Sequence, residues 1–241
     1  MYQKYYNVFK FQKDNIYFFS VPKNACSSIK KWHAGYVRGE DVDVPINNQD
    51  ILHLPSFNKL IPHSNLNADA FNNDMNNPDV AKFVILRDPY DRAYSCFKEK
   101  MKQDGLDYYK YFRSLVCPEI KDELYRMNEK QLIHSQNDYK FLRFLVEVKK
   151  QNRFERNEHY IEQNILCCNL EPKNISVFTL DNMQKLEKWL SEKLNKEVTI
   201  QKYSPHKTDT NNIRDKLLDD ERLLIEQIYH KDIELYEKIK V

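Results

Sequence analysis

The chain has 241 residues, of which 38 are Lys or Arg and 36 are Asp or Glu, so its formal net charge is only +2. This balance argues against a general nucleic-acid binder, which normally needs a basic excess, although a local basic cluster can still bind one anionic substrate. With 16 tyrosines and 13 phenylalanines, the composition indicates a folded protein despite 31% charged residues. We expect one domain spanning residues 1–241 and no nucleic-acid partner.

The cysteines and the apolar segments indicate the compartment. Five cysteines with no Cys-x-x-Cys pair give neither a disulfide framework nor a zinc spacing. Cys167 and Cys168 are adjacent like a ligand pair, but inert free thiols are the commoner case and suit a reducing compartment. No secretion signal and no apolar stretch of about 20 residues is found, so we expect no transmembrane segment and a cytoplasmic location. A chain from which an anchor had been removed would look the same.

The first hundred residues contain the same pattern twice. Residues 16–21 are apolar without alternation, which predicts a strand buried on both faces of a parallel sheet, followed by a helix over about 27–37. Residues 39–79 are rich in Asn, Asp and Pro, and a connection this long is usually functional or contains short helices. Residues 82–101 then repeat strand, turn and helix, with the turn at Asp88-Pro89.

The second half continues the alternation of helices and strands. Asp138 is predicted to cap a helix, residues 175–180 form a third strand, and Asp181 is predicted to cap a helix over 182–194. Residues 197–203 are a strand or an edge, and 213–239 are helical. This order predicts an α/β protein with a P-loop-like three-layer fold, in which helices flank a central, mainly parallel β-sheet.

The first turn has the chemistry of an anion site. A helix N-terminus offers free backbone N–H groups and the positive end of its dipole, and small residues over 25–28 let a phosphate approach. Lys23 precedes this turn and can reach the same group. A Walker motif needs several glycines in the loop, whereas the whole chain has only 3, so an ordinary ATPase is not indicated. A plain strand-to-helix turn with a solvated lysine is the competing interpretation.

The second turn adds a second candidate anion site. Arg87 ends a strand and Ser95 lies about two helical turns into the next helix, so both can face one phosphate. Arg92 is a further candidate, although it can instead pair with Asp88 or Glu99. Ligands of such sheets bind beyond the carboxyl ends of the strands. Two anion-binding turns there suggest a nucleotide that carries phosphates at both ends.

Four segments resemble a known family. "FFSVPKNACSSIKKW" (18–32) and "KFVILRDPYDRAYSCFKEK" (82–100) resemble the 5′-phosphosulfate and 3′-phosphate motifs of sulfotransferases, in particular of carbohydrate sulfotransferase family 2. "NEHYIEQNILC" (157–167) resembles that family's Asp/Asn-x-His-x-x-x-Gln segment, and "IYHKDIELYEKI" (228–239) resembles its closing helix. Together the segments span most of the chain in the family's order.

The resemblance implies a donor and a mechanism. The donor would be 3′-phosphoadenosine 5′-phosphosulfate (PAPS), whose sulfuryl group passes in line to an acceptor hydroxyl. Lys23 would contact the bridging oxygen and stabilise charge on the leaving phosphate, so no metal would be required. Arg87 and Ser95 would bind the 3′-phosphate. The residues implied at the 5′-phosphate are Pro22, Lys23, Asn24, Ala25, Cys26, Ser27 and Ser28.

The acceptor needs a proton acceptor, for which histidine is the usual choice near neutral pH. His159 is our candidate base because it lies in the matched segment, with Gln163 one turn further on, and Glu158 can serve instead. His53 is the second choice. We expect His53, Glu158 and Gln163 at the substrate, although a structural role is the ordinary alternative for any one histidine.

Two further segments have open interpretations. Lys207 and Thr208 lie where sulfotransferases often close a loop over the 3′-phosphate, and a solvated polar loop is equally consistent. Residues 107–115 ("DYYKYFRSL") interleave aromatic and basic side chains, which suits either stacking on sugar rings or an amphipathic helix. The acceptor site is expected within 39–79 and 103–135.

The leading hypothesis is therefore a sulfotransferase that acts on a carbohydrate or glycolipid hydroxyl. A small metabolite or a lipid-linked saccharide is the alternative acceptor. A non-catalytic module of the same fold that binds a nucleotide or a glycan is the alternative outside enzymes, and intact Lys23, Arg87 and Ser95 argue against it. A kinase-like phosphotransferase is disfavoured because a glycine-rich loop is lacking.

Overall fold

A computed structural model describes residues 7–44, 46–102, 137–154, 156–168, 174–203 and 213–240. The chain divides into two compact units. Unit 1 consists of Met1–Arg87, Gln163–Lys207 and Leu235–Val241, and unit 2 consists of Asp88–Glu162 and Thr208–Glu234. Within the described ranges, no helix is both long and apolar enough to cross a bilayer.

Unit 1 is built on a five-stranded sheet with the order β3-β1-β2-β4-β5. Strands β2, β4 and β5 are parallel to one another, and β1 is antiparallel to both β2 and β3. Four strands therefore run in one direction, which confirms the prediction of a mainly parallel α/β sheet. The strands are β1 (Val8–Phe11), β2 (Ile16–Phe19), β3 (Leu60–Pro62), β4 (Ala81–Leu86) and β5 (Ile175–Thr179).

The helices alternate with these strands along the chain. They are α1 (Cys26–Arg38), α2 (Pro55–Asn58), α3 (Ala68–Asn76), α4 (Pro89–Lys102), α5 (Asn137–Lys150), α6 (Gln163–Leu166), α7 (Met183–Leu194) and α8 (Asp219–Lys240). Short 3-10 helices are Ile46–His53, His63–Asn65, Leu180–Asn182 and Ile213–Lys216.

Helices cover both faces of the sheet in unit 1, as the three-layer prediction requires. On one face, Phe18 and Phe83 stack with ring centroids 4.9 Å apart and share a buried cluster with Ile29 of α1 and Leu186 of α7. Because side chains alternate along a strand, Tyr17 points to the opposite face, where its ring meets Phe71 of α3 at 5.9 Å. All four residues of β2 are consequently buried.

A polar contact fixes α3 on this second face. The Tyr17 hydroxyl donates to Asp74 Oδ2 at 2.6 Å, and Lys10 Nζ lies 3.2 Å from the same oxygen. Burial, together with the neighbouring carboxylate, raises the pKa of Tyr17. Although burial by itself would raise the pKa of Asp74, the hydrogen bonds from Tyr17 and Lys10 lower it, so the carboxylate stays ionised.

Unit 2 has a separate helical core. Aromatic side chains of α4 and α5 pack there, with the Phe97 and Phe141 centroids 5.1 Å apart, and Ile225 and Ile228 of α8 belong to the same cluster. The φ/ψ values of Tyr229 (−118°, 23°) interrupt α8, and its buried hydroxyl donates to the Tyr160 carbonyl at 2.8 Å.

Several predicted details are wrong. Asp181 does not cap the following helix: Asn182 is the N-cap residue, and Asp181 instead accepts a hydrogen bond from the Tyr236 hydroxyl. Asp138 lies inside α5 and not at its cap. Residues 197–203 form no strand, although Val198 and Ile200 pack into the sheet's core. By contrast, the expectation that the segment 39–79 contains short helices is confirmed, since α2 and α3 lie in it together with β3.

Candidate active site

The turn between β2 and α1 has an unusual backbone. Lys23 (φ 74°) and Ala25 (φ 60°) both adopt the left-handed conformation, although neither is glycine. Such a conformation costs an L-residue roughly 1–2 kcal/mol, so the surrounding structure must hold it. Within the turn, the N–H of Asn24, between these two residues, donates to the Val21 carbonyl at 3.2 Å, so the chain turns sharply from β2 into α1.

Helix α1 begins without a capping side chain. Ala25 is its N-cap residue, and among the described residues no side chain bonds to the cap and no acidic residue occupies the first turn. The first N–H groups of a helix have no partner within the helix, and they carry the positive end of its dipole. The start of α1 is therefore suited to an anion.

The side chain of Asn24 anchors this turn to the sheet. It is only 1% exposed, and its Nδ2 donates to the Ile85 carbonyl at 2.9 Å and to Gln163 Oε1 at 2.5 Å. The Gln163 amide in turn pairs with the backbone of Arg87, accepting from its N–H at 3.0 Å and donating to its carbonyl at 2.9 Å. Gln163 thus joins the turn to the end of β4, and its predicted contact with substrate stays a prediction.

The structure brings Arg87 to the first turn. Its Nη1 donates to the Lys23 carbonyl at 3.2 Å, so the guanidinium lies against the left-handed residue itself. Lys23 and Arg87 are both half-buried. The guanidinium of Arg87 therefore lies at the turn that precedes α1, and the prediction that Lys23 and Arg87 bind one nucleotide stays a prediction.

The two serines of α1 differ in their contacts. Ser28 is 4% exposed, and its hydroxyl donates to the Tyr203 carbonyl at 3.3 Å and accepts from the Tyr203 N–H at 3.0 Å. In this conformation its one proton is directed at the chain and not at a phosphate. Ser27 is half-buried and remains the candidate hydroxyl donor.

The other predicted donor contacts are placed only in part. Pro22 is buried and Cys26 is half-buried in the same turn. Lys207 and Thr208 lie outside the described residues, as does the aromatic segment 107–115.

A cavity of about 650 Å³ runs along α1 in unit 1. Trp32 and Tyr36 line it as a stacked pair with centroids 5.6 Å apart, and Lys196 Nζ lies 5.5 Å from the Tyr36 ring centroid. Such a wall can accept a planar ring. This cavity was not predicted from the sequence because its other wall, residues 196–199 and 201, is distant from α1 in the chain. The i, i+4 spacing of Trp32 and Tyr36 was the one sequence feature that indicated an aromatic wall on α1.

The environment of His53 makes it a poor proton acceptor at Nδ1. Lys30 Nζ lies 3.2 Å from that nitrogen, and an ammonium can only donate.

His33, on the same helix as Lys30, is fully buried, which lowers its pKa to about 4, and its Nδ1 lies 2.7 Å from the Asn58 carbonyl oxygen. His33 therefore stays neutral and serves to dock α1.

In unit 2, His159 lies in a segment that α4 holds in place. Arg92 is 2% exposed and donates to the carbonyls of Ile161 at 2.7 Å and Glu158 at 3.2 Å. These contacts, with backbone carbonyls, differ from the phosphate or carboxylate contacts expected for Arg92. The His159 ring contacts Asn157 through Nδ1, at 2.7 Å from Oδ1. Glu158 and His159 are both half-buried.

The N-terminus of α4 differs from that of α1. Asp88 Oδ1 accepts from the N–H groups of Tyr90 at 2.9 Å and Asp91 at 3.2 Å, and Asp91 adds a second carboxylate in the first turn. Ser95, further along α4, is 1% exposed. In the part of the chain that the structure describes, no cluster of three His, Cys, Asp or Glu side chains could hold a metal ion.

Comparison with known proteins identifies the family. The model of the family described as "Sulfotransferase family" (Sulfotransfer_2) matches residues 6–238, which is nearly the whole chain. No curated protein and no solved structure gives a match. The matched range includes both strand–turn–helix segments and the His159 segment, and on this basis the chain belongs to the sulfotransferase family.

Proposed function

We propose that this sulfotransferase transfers a sulfuryl group from PAPS to a hydroxyl of a carbohydrate or glycolipid. The observation that carries the proposal is the uncapped N-terminus of α1, which follows the left-handed Lys23, whose carbonyl accepts a hydrogen bond from Arg87. A helix start without its own carboxylate is a ready site for the 5′-phosphosulfate.

The residues of this turn divide the binding of the donor between them. The N–H groups at the start of α1 and the Ser27 hydroxyl bind the 5′-phosphate. Arg87 and Ser95 are assigned to the 3′-phosphate, on the resemblance of their motif and on the position of Arg87 beside Lys23. We assign the adenine to the cavity along α1, because Lys31 on its wall lies five residues, or about 7.5 Å, beyond the start of the helix.

The reaction forms one S–O bond and breaks another. The acceptor oxygen attacks sulfur, the bond from sulfur to the bridging phosphate oxygen breaks, and adenosine 3′,5′-bisphosphate leaves. Lys23 stabilises the negative charge that develops on the leaving oxygen, and so its contact strengthens in the transition state. The proton of the acceptor hydroxyl passes to a histidine.

His159 is the better candidate for that histidine. The Nδ1 of His53 already accepts from Lys30, whereas His159 directs Nδ1 at an amide oxygen and so keeps its lone pair on Nε2. We therefore assign the general base to His159 and leave Glu158 and Gln163 as neighbours of the acceptor site.

We propose that residues 1–241 form one sulfotransferase domain. Support comes from the family match, whose range of residues 6–238 includes residues of both compact units. A cytoplasmic location and a carbohydrate acceptor belong to the same proposal. They rest on the composition and on the resemblance of the motifs to those of carbohydrate sulfotransferases.

Thermal unfolding with two nucleotides tests the donor. Adenosine 3′,5′-bisphosphate at a hundred times its dissociation constant should stabilise the protein by about 2.7 kcal/mol, and ADP at the same concentration clearly less. Arg87→Ala should remove this preference, because ADP lacks the 3′-phosphate. Equal shifts for both nucleotides would refute the assignment of PAPS.

A transfer assay then separates an enzyme from a binding module. Radiolabelled PAPS is incubated with polysaccharide, glycolipid and small-alcohol acceptors, and label on the saccharides is the expected result. Binding of the bisphosphate without transfer to any of them would favour the non-catalytic alternative.

A further inference from the structure

The backbone around His159 is held from several sides. The Asn157 carbonyl accepts from the N–H groups of Tyr160 at 3.0 Å and Ile161 at 2.8 Å, and the Arg92 and Tyr229 side chains bind other carbonyls of the segment. Tyr160 and Ile161 are at most 1% exposed. The His159 ring therefore extends from a fixed stretch of chain.

The amide of Asn157 makes two contacts with the same histidine. Its Oδ1 accepts from the His159 backbone N–H at 3.0 Å and lies 2.7 Å from the ring nitrogen Nδ1. The backbone N–H can only donate, so the atom that faces it must be the amide oxygen and not the amide nitrogen. An oxygen acceptor requires the proton of the neutral ring to be on Nδ1.

From this geometry we infer that Asn157 is a positioning residue, which holds neutral His159 in the Nδ1-protonated tautomer and leaves the lone pair on Nε2. A base can accept a proton only at the nitrogen that carries its lone pair. Asn157 thereby selects the atom that receives the proton of the acceptor hydroxyl. The catalytic part of the inference rests on the proposed function, whereas the tautomer does not.

In the sequence, Asn157 was identified only as the first position of the Asp/Asn-x-His-x-x-x-Gln motif. Its chemistry depends on the side-chain oxygen and on the two-residue spacing to His159, which is the spacing of an Asx turn. Asn152 makes the same turn without a histidine, since its Oδ1 accepts from the Phe154 N–H at 3.2 Å. Substitution of Asn152 is therefore a matched control for substitution of Asn157.

Nitrogen NMR of the histidine rings tests the tautomer directly. Spectra are recorded about two pH units above the ordinary imidazole pKa, and the His159 signals are identified by their loss in His159→Gln. We expect Nδ1 protonated in the wild type, a mixture of tautomers in Asn157→Ala, and Nδ1 protonation restored in Asn157→Asp, whose carboxylate also accepts both contacts.

Kinetics test the consequence. Asn157→Ala should lower kcat about 10- to 100-fold with the donor KM within about twofold, and Asn157→Asp should recover most of the loss. Asn152→Ala should leave kcat and the ring signals unchanged. Melting curves of all variants show whether the proteins are folded.

Three results would overturn the inference. They are a wild-type ring protonated on Nε2, a ring spectrum unchanged in Asn157→Ala, and a changed tautomer with unchanged kcat. A wild type that neither binds adenosine 3′,5′-bisphosphate nor transfers sulfate refutes the proposed function instead, and the ring spectrum still decides the role of Asn157.

Discussion

The strand–turn–helix pattern occurs twice in the chain with similar residues, at β2–α1 and at β4–α4. The N-termini of the two helices differ in charge. At α1 the N-cap is Ala25 and the first turn contains no acidic residue. At α4 the Asp88 carboxylate binds two of the first N–H groups, and Asp91 adds a second negative charge. The positive end of α1 therefore has no capping side chain among the described residues, whereas α4 neutralises its positive end with its own carboxylates.

This difference predicts two different ways of binding an anion. The start of α1 offers backbone N–H groups, so the shape of the turn matters more than any one side chain. At α4 Asp88 already accepts from two of the first backbone N–H groups, so the proposed contacts of the second motif with a phosphate come from the side chains of Arg87 and Ser95. A capping carboxylate stabilises a helix by about 1 kcal/mol. Helix α4 has such a carboxylate, and α1 does not.

Lys23→Ala should have the largest effect on the first turn. We expect kcat to fall about 10²- to 10³-fold, because the lost charge opposes the negative charge that develops in the transition state. Binding of adenosine 3′,5′-bisphosphate should change only a few-fold. Lys59 is also a left-handed lysine (φ 59°), so Lys59→Ala controls for the backbone. Near-normal turnover in Lys23→Ala would refute its role.

Ser27→Asp would give α1 the charge that α4 already has. The new carboxylate should weaken binding of the bisphosphate about 10- to 100-fold by repulsion. It should also raise the free energy of unfolding by up to about 1 kcal/mol, through its interaction with the helix dipole. Calorimetric titration and urea unfolding measure the two effects, with the neutral Ser27→Asn as control. Unchanged affinity would show that the phosphate binds elsewhere.

Asp88→Ala should have the smallest effect of the three substitutions, and it should change stability rather than ligand affinity. Loss of the cap should lower the free energy of unfolding by about 1 kcal/mol, while bisphosphate affinity stays within about threefold. Asp69→Ala, which removes an exposed first-turn carboxylate from α3, should cost less than about 0.5 kcal/mol. If Asp88→Ala weakened ligand binding as much as Ser27→Asp, the contrast between the helix starts would be wrong.

The local patterns of the sequence predicted the central strands and the main helices. Strands β2, β4 and β5 are apolar runs, and α1 and α7 have apolar stripes, so their signals lie within a few residues. Strand β1 was missed because its sequence VFKF contains a lysine and only its two end residues are buried. Strand β3 was missed because it has only 3 residues and pairs with β1, which is distant in sequence. The fold class was therefore predictable, and the edge of the sheet was not.

The candidate site shows the same division between local and distant signals. The motif identified Lys23, Arg87 and the small residues of the first turn, and the structure brings these together. The motif did not show that Ser28 is engaged by Tyr203, because that partner lies 175 residues away. Asp181 likewise has the local pattern of a cap, but Tyr236 binds it instead.

The anchoring of Asn24 has a consequence for folding. Its partners lie 61 and 139 residues further along the chain, at Ile85 and Gln163. Contacts of such separation form late, because the entropy of closing the intervening chain must be overcome first. We therefore expect the strained turn to acquire its shape only when β2, β4 and α6 have assembled. Competence to bind the donor should appear together with complete folding of unit 1, and an isolated N-terminal fragment should have none.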